Sequence, residues 1–358
     1  MRGTSPVGSS VYINTCRDPI VGVNPSRWHY SLEPLITRSI GFIMNRTSLR
    51  FAGQVGMWRS RWSTLRSLSR IISSDLVNGR AIGAAYSSLS RQSSEGKSVI
   101  ITGSSRGIGR AIALRLATDG YDVCVNDLSA NQAACDKVAE EIRGIGRKAC
   151  VALADVTNRD QVKDMIATSV RELGPLHTMI ANAGIVQVQH VLELSDEDFQ
   201  RMFAVNVFGV QNCLSEAAKQ LISQGNCRLD RPGKLLAASS IVGFKAFPLL
   251  PHYSASKWAV RGLIQAYAMQ LAKHNITANA YAPGIVDTAM WDIIDAGVSK
   301  RTGLDPSEVT EKMAHEMTAI DRVSVPEDVA KLVSFLASSD SDFVTGQTQL
   351  VDGGIIFT

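Results

Sequence analysis

Three residues carry the chemistry that this sequence offers most directly: Ser240, Tyr253 and Lys257. If Tyr253 lies in a helix, Lys257 stands one turn on, on the same face. An ammonium there favours the ionised phenol, whose ordinary pKa near ~10 is too high for proton transfer at neutral pH. A hydroxyl delivered from another segment, Ser240, would hold a substrate oxygen against the tyrosine. Such a group moves a proton to or from a carbonyl/alcohol oxygen and leaves the hydride to a cofactor. Taken alone, Tyr-x-x-x-Lys is a common decoration of helix surfaces. The elements around it decide.

Those elements begin at Lys97. Ser98-Val99-Ile100-Ile101 is a short β-branched apolar run, hence a buried strand. It leads into Thr102-Gly103-Ser104-Ser105-Arg106-Gly107-Ile108-Gly109 and then a helical pattern through Ala111, Ile112, Leu114 and Leu116. A strand, a glycine turn and a helix start are what a pyrophosphate needs: close backbone approach, with free N–H groups aimed at the phosphates. The next strand, Asp122 to Asn126, ends at Asp127, whose carboxylate would accept hydrogen bonds from the adenosine ribose hydroxyls. It would also repel a 2′-phosphate, so it argues for NAD over NADP. Arg106, which would attract that phosphate, argues the other way and carries less weight because it lacks the direct ribose contact. The alternative for Asp127 is a plain strand-end turn residue.

Strand and helix then alternate to the end of the chain. A helix over about 131–143 and a strand over 149–153 lead to Asp155-Val156. Asp155 either meets the adenine amine or caps the helix that starts near Asn158. A helix over 160–173 and a strand over 176–180 end in the small-residue turn Ala181-Asn182-Ala183-Gly184, the strand edge at which such sheets bind ligands. Acids at 196–198 start a long helix that holds Asn206 in an apolar run, as a satisfied core amide or as a working group. Residues 233–238 form the strand that delivers Ser239-Ser240, and the helix over 253–274 presents Tyr253 and Lys257. A strand over 277–281 ends in Pro283-Gly284-Ile285-Val286-Asp287-Thr288, and helix 326–337 and strand 348–351 close the chain. The expected fold is α/β, one doubly wound parallel sheet in a single domain over 96–358.

Charge separates that body from what precedes it. Residues 1–96 hold twelve Arg, no Lys and four acids, a net of +8, which leaves −4 on the rest of a chain whose total is +4. A mildly acidic body argues against nucleic-acid binding. A composition of 45% hydrophobic and 20% charged residues suits a sizeable core, and no apolar run reaches the length of a membrane span. The six scattered cysteines suggest neither a zinc site nor a disulfide framework. Residues 1–95 read as an extension outside the chemistry. Their arginine-rich, acid-poor stretch, with Trp58, Trp62, Leu65 and Ile72 along one helical side, has the composition of a mitochondrial targeting arm. A disordered or overextended N-terminus of a cytoplasmic protein, with translation starting at Met44 or Met57, is the competing reading.

Together, Thr102-Gly-x-x-x-Gly107-x-Gly109, Asn182-Ala183-Gly184, Asn206, Ser240, Tyr253-x-x-x-Lys257 and Pro283-Gly284 resemble the short-chain dehydrogenase/reductase family over about 96–358. The resemblance implies that Tyr253 is the general acid/base and that Lys257 lowers its pKa and holds the nicotinamide ribose. Ser240, thirteen residues before the tyrosine, would orient the carbonyl, and Asn206 would support the lysine through water. It further implies that Val286 and Thr288 hold the carboxamide, and that the chain assembles as a homotetramer. The stretches 280–291, 340–347 and 351–354 are similar to diacetyl/acetoin reductases (2,3-butanediol dehydrogenases), which use NAD(H). In bacterial members a Gln follows the serine; here it is Ile241, and with Phe247 it makes the pocket wall apolar. Met290, Trp291 and the segment through Arg322 read as a substrate lid or as an ordinary surface helix pair. The expected reaction is NAD(H)-linked interconversion of a small ketone, diketone or hydroxyketone with its alcohol. An NADPH-linked mitochondrial 3-oxoacyl-carrier-protein reductase, a polyol or sugar dehydrogenase and a non-catalytic redox sensor are the rivals.

Overall fold

The structure, a computed structural model, describes residues 96–358. The N-terminal extension, with its targeting reading and its tryptophan-bearing helix, lies outside the described residues. Seven parallel strands form one sheet: β1 (Ser98–Ile101), β2 (Asp122–Val125), β3 (Ala149–Val151), β4 (Leu176–Ala181), β5 (Gly233–Ala238), β6 (Ile276–Pro283) and β7 (Thr348–Val351). Their spatial order is β3-β2-β1-β4-β5-β6-β7. The order reverses between β1 and β4, so the loops leaving those two strands diverge and open a crevice.

Alternate residues of each strand point to opposite faces, and both faces are covered. Ile100, Cys124, Met179 and Leu235 enter one core with helices α3 (Arg159–Leu173), α5 (Val210–Gln224) and α6 (Pro251–Leu271). Val99, Val123, Ile180, Leu236 and Tyr281 enter the other, under α1 (Gly107–Thr118), α2 (Gln132–Gly144) and α9 (Pro326–Ala337). A third, smaller cluster caps the C-terminal ends of the strands. It joins Met202 of α4 (Asp196–Phe203), Tyr253 of α6, Ile294 of α7 (Ala289–Thr302) and Val309 of α8 (Pro306–Met317).

Two helices depart from the periodic reading. The helix holding Asn206 is broken by a π-helical turn, Ala204–Gly209, between α4 and α5. Gly209 there presses on Val156, where a Cβ would meet Cγ2 at 2.7 Å, and the wider turn leaves Asn206 aimed inward. Helix α6 starts at Pro251 rather than Tyr253, because proline suits a first turn whose N–H has no helical partner. The capping alternative for Asp155 is overturned. Asn158 caps α3, accepting from the amides of Asp160 and Gln161, while Asp155 accepts from the Thr157 amide and hydroxyl, both at 2.8 Å.

Lys234 of β5 is 1% exposed; its ammonium donates to Asp342 at 2.7 Å and to Ser341 Oγ at 3.2 Å. Removing the carboxylate leaves a buried charge without its counter-ion, so Asp342→Ala is expected to lower stability by about 2–4 kcal/mol. A urea midpoint equal to that of the unmodified chain would refute that weight for the pair.

Candidate active site

The loops leaving β1, β4, β5 and β6 surround a cleft of ≈ 900 Å³. Its floor is a crossing of two backbones. Gly103 and Gly107 have φ of +64° and +55°, and a Cβ on Gly109 would lie 2.1 Å from the Gly103 carbonyl oxygen. Only glycine permits that approach. Asn182 fastens the crossing to the sheet: its Nδ2 donates to the carbonyls of Thr102 (2.9 Å) and Gly103 (3.2 Å), and its Oδ1 accepts from the phenol of Tyr281 (2.9 Å). Thr102 Oγ1 accepts from the amides of Asn182 and Ala183, both at 3.0 Å. Tyr281 and Thr102 are holding residues that sequence reasoning left without a role. Their only signals were the place of Thr102 in the motif after β1 and of Tyr281 in the strand that leads to Pro283.

At one end of the cleft Asp127 is half-buried. Burial pushes its carboxyl up. Hydrogen bonds from Ser105 Oγ (2.5 Å), Asn131 Nδ2 (2.8 Å) and the Leu128 amide (2.8 Å) outweigh this and hold it below the usual range. The group is a carboxylate at neutral pH. Arg106, Ile108, Asp155 and Val156 line the same end, and Arg106 is exposed beside it. No side chain caps the N-terminus of α1, which opens onto the cleft through Gly107, Ile108 and Gly109.

At the other end stand Ser240, Tyr253 and Lys257, brought together from β5 and α6 and all buried. The Lys257 ammonium lies 5.5 Å from the centroid of the Tyr253 ring and donates to the Ala238 carbonyl at 2.9 Å. Burial pushes the Tyr253 phenol up to about 12 against a hydrogen bond from Ser240 that lowers it. Burial likewise draws Lys257 down to about 8. The expected depression of the tyrosine by the lysine is therefore not what governs the phenol in the protein alone, where desolvation dominates both groups. Asn206 does not bond the lysine. Its side chain clamps the backbone of Ile185, accepting from N (2.9 Å) and donating to O (3.0 Å), and donates to Ser256 Oγ at 3.2 Å. Gly184 lies between the two side chains: a Cβ there would be 3.2 Å from Asn206 Oδ1 and 3.6 Å from Lys257 Nζ.

Pro283, Gly284, Val286 and Thr288 line the cleft beside this end, and Thr288 Oγ1 donates to the Val286 carbonyl at 3.2 Å. Ile241, Phe247, Met290 and Trp291 line the cleft beyond Ser240, joined by Leu250, Met313 and Met317. Both lid helices pack on the cluster around Tyr253, Gly297 of α7 fits against Val188, and Arg301 reaches Gln189 and Glu193, each at 2.6 Å. The segment is a packed cover over the cleft. Arg201, from α4, lines the cleft as well and was not anticipated; nothing in the helical pattern marks it.

The arrangement provides a glycine floor that excludes side chains, a carboxylate at one end and a phenol–hydroxyl–ammonium group at the other. Residues 97–298 match the family profile described as short chain dehydrogenase. The chain belongs to the short-chain dehydrogenase/reductase family. It is 41% identical over 261 residues to the L-2,3-butanediol dehydrogenase of Corynebacterium glutamicum, covering 73% of this chain and 99% of that one. To a diacetyl reductase [(S)-acetoin forming] of Staphylococcus epidermidis it is 38% identical over 262 residues, with the same coverages. The crystal structure of an NAD⁺-bound xylitol dehydrogenase superposes with a TM-score of 0.67 at 29% identity, over 73% of this chain and 99% of that one. This short-chain dehydrogenase/reductase is thus an NAD(P)-dependent oxidoreductase acting on CH–OH groups, and its glycine floor fits the dinucleotide, since the uncapped start of α1 lines the cleft through Gly107, Ile108 and Gly109.

Two outcomes follow for this site. Gly109→Ala must push the loop off the Gly103 carbonyl and is expected to weaken NADH binding by roughly 100-fold, about 3 kcal/mol, in a titration of protein fluorescence; unchanged affinity would refute the floor. Lys257→Met is expected to remove activity yet raise stability by about 1–3 kcal/mol near neutral pH. Burial sets the folded pKa of Lys257 at about 8, below its ordinary 10.5. The unmodified chain therefore carries the full penalty below pH 8 and sheds it between 8 and 10.5. The advantage of Lys257→Met in denaturant unfolding must shrink over that window.

Proposed function

We propose that the chain interconverts a small ketone, diketone or hydroxyketone of the diacetyl/acetoin type with its secondary alcohol, using NAD(H). The observation that carries this reading is the placing of Ser240 and Tyr253, both buried, in the wall of the cleft beside Ile241, Phe247 and Trp291. They offer one phenol and one hydroxyl to a single substrate oxygen. Similarity to a butanediol dehydrogenase and a diacetyl reductase supports the substrate class.

In this reading the dinucleotide lies along the glycine floor, with its adenosine ribose at Asp127 and its nicotinamide end near Tyr253 and Thr288. Asp155 and Val156 border the adenine, and Asn182, Ala183, Gly184, Pro283 and Gly284 border the remainder. The cofactor supplies or accepts the hydride. Ser240 orients the carbonyl oxygen. Tyr253, kept protonated by burial, holds a proton ready for that oxygen when a ketone is reduced, and must first lose it when an alcohol is oxidised. Lys257 steadies the phenolate and binds ribose, and Asn206 fixes the Ile185–Gly184 turn that backs the lysine. A charged Asp127 favours NAD, because a 2′-phosphate beside it would be repelled.

A 3-oxoacyl thioester reductase is the second reading. The apolar wall formed by Ile241, Phe247, Met313 and Met317 favours it, since a diketone has a second oxygen to satisfy. Exposed Phe208, Trp258 and Met269 offer apolar surface of the kind a homotetramer covers, and the family resemblance supports that assembly; light scattering of the purified chain tests it.

Steady-state rates with diacetyl, acetoin and acetoacetyl thioesters, each with NADH and NADPH, test the proposal. Faster NADH-linked turnover of diacetyl or acetoin is the expected result, and a thioester preference with NADPH would replace it with the second reading. Tyr253→Phe is expected to lower kcat by about 10³-fold or more with NADH binding retained. Because burial holds the phenol near 12, ketone reduction should stay level from about pH 6 to 8. Alcohol oxidation should climb with pH, by up to about tenfold per unit. Oxidation independent of pH would remove Tyr253 from the proton step.

A further inference from the structure

The N-terminal edge of the sheet, opposite the cleft, gathers cations without matching acids. Lys97 precedes β1, His177 is the second residue of β4, and Arg231 and Lys234 bracket the start of β5. Ser98 pairs with Leu176 and Thr178 with Lys234, so the register sets His177 between the two lysines. Lys97, His177 and Lys234 are 7%, 5% and 1% exposed. Among the described residues Asp342 is the carboxylate that reaches this group, through Lys234. Asp122, at the same edge, is already engaged by Arg147 and by the amide of Lys148, both at 2.9 Å. Three cations thus face one carboxylate in a place largely closed to water.

One buried ring nitrogen is also left over. His177 Nδ1 meets Thr178 Oγ1 at 2.7 Å, while its Nε2 is buried without a partner among the described residues. Burial, then Lys97, Arg231 and Lys234, hold the imidazole well below its usual pKa and therefore neutral. In the tautomer whose Nδ1 accepts from the Thr178 hydroxyl, the one an anion here selects, the ring proton is on Nε2. A cavity of ≈ 10 Å³ adjoins it, lined by His177, Arg231, Asn226 and Cys227 among others. That is about the room one water-sized sphere needs. His177 and Arg231 line that space, and the Lys97 and Lys234 ammonium groups act on His177 from beyond it; such a setting suits a monatomic anion better than water, which would leave the charge unanswered.

We propose that this pocket binds a halide, chloride in practice, held by His177 Nε2–H and Arg231 in the field of Lys97 and Lys234. The ion would tie together the leading ends of β1, β4 and β5. It lies at the opposite edge of the sheet from the reacting groups, so its effect is on stability and not on turnover, whatever the substrate.

The test is thermal unfolding of the full chain in sodium chloride, with ionic strength held constant by sodium gluconate, whose anion exceeds the cavity. Chloride at tenfold its Kd is expected to raise Tm by about 3 °C, with kcat unchanged. Crystals grown in sodium bromide should show an anomalous peak within hydrogen-bonding distance of His177 Nε2. His177→Asp, which brings its own carboxylate, should lose the chloride response and match or exceed, in gluconate, the Tm of the unmodified chain in chloride. Should that variant fail to fold, Arg231→Gln, at a half-exposed position, should need several-fold more chloride for the same shift. Equal Tm values in the two salts, or an undiminished response in both variants, would overturn the proposal.

Discussion

The site depends on the passage of two backbones within touching distance, where the first turn of α1 crosses the loop from β1. The Gly109 Cα hydrogens occupy the gap to the Gly103 carbonyl that a methyl group would fill. The crossing is held from below by Asn182, whose amide donates to both loop carbonyls while the buried Tyr281 phenol fixes its other side. Three strands, β1, β4 and β6, thereby share responsibility for one small surface. The crossing is held in place because the Thr102 and Gly103 carbonyls, the Thr102 hydroxyl and both ends of the Asn182 amide are all hydrogen-bonded.

The same edge of the sheet supports a second constraint with the opposite energetic sign. Tyr253 and Lys257 are buried together at the end of α6, and burial opposes the charge of each: the phenol is driven up and the ammonium down. Neither group is optimally placed for stability. A lysine with one carbonyl partner, Ala238, is a residue that the fold tolerates and the chemistry uses. The packed cluster of Val186, Val242, Leu250, Ile294 and Val309 around them supplies apolar burial that offsets this cost and excludes water from the proton-transfer end. The lid helices α7 and α8 are part of that cluster, so closing the site and stabilising it are one act of packing.

Asn206 shows how local backbone and distant site are coupled. The π turn that carries it exists where Gly209 meets Val156, and the turn aims the amide at Ile185, next to Gly184 and the lysine. A satisfied core residue and a residue that shapes the site are here the same residue. The two readings that the sequence left open do not compete, because satisfying the amide is what fixes the turn beside Lys257.

The sequence by itself determined the sheet and the place of its chemistry. Short β-branched runs could only be buried strands, and the glycines after β1 together with the Tyr-Lys spacing marked two ends of one crevice; α9 and β7 fall on the very residues expected. Those features are legible because they rest on covalent spacing and on side-chain type, which are local. What only the tertiary structure decided is long-range. Which residue caps α3, what Asn206 bonds, and which way burial moves Tyr253 and Lys257 depend on partners far along the chain. So does the cation-rich edge, where Lys97, His177, Arg231 and Lys234 are spread over more than a hundred positions and meet only through strand register. Electrostatics and desolvation act through space, and a linear pattern carries no record of which charges the fold will leave without a partner.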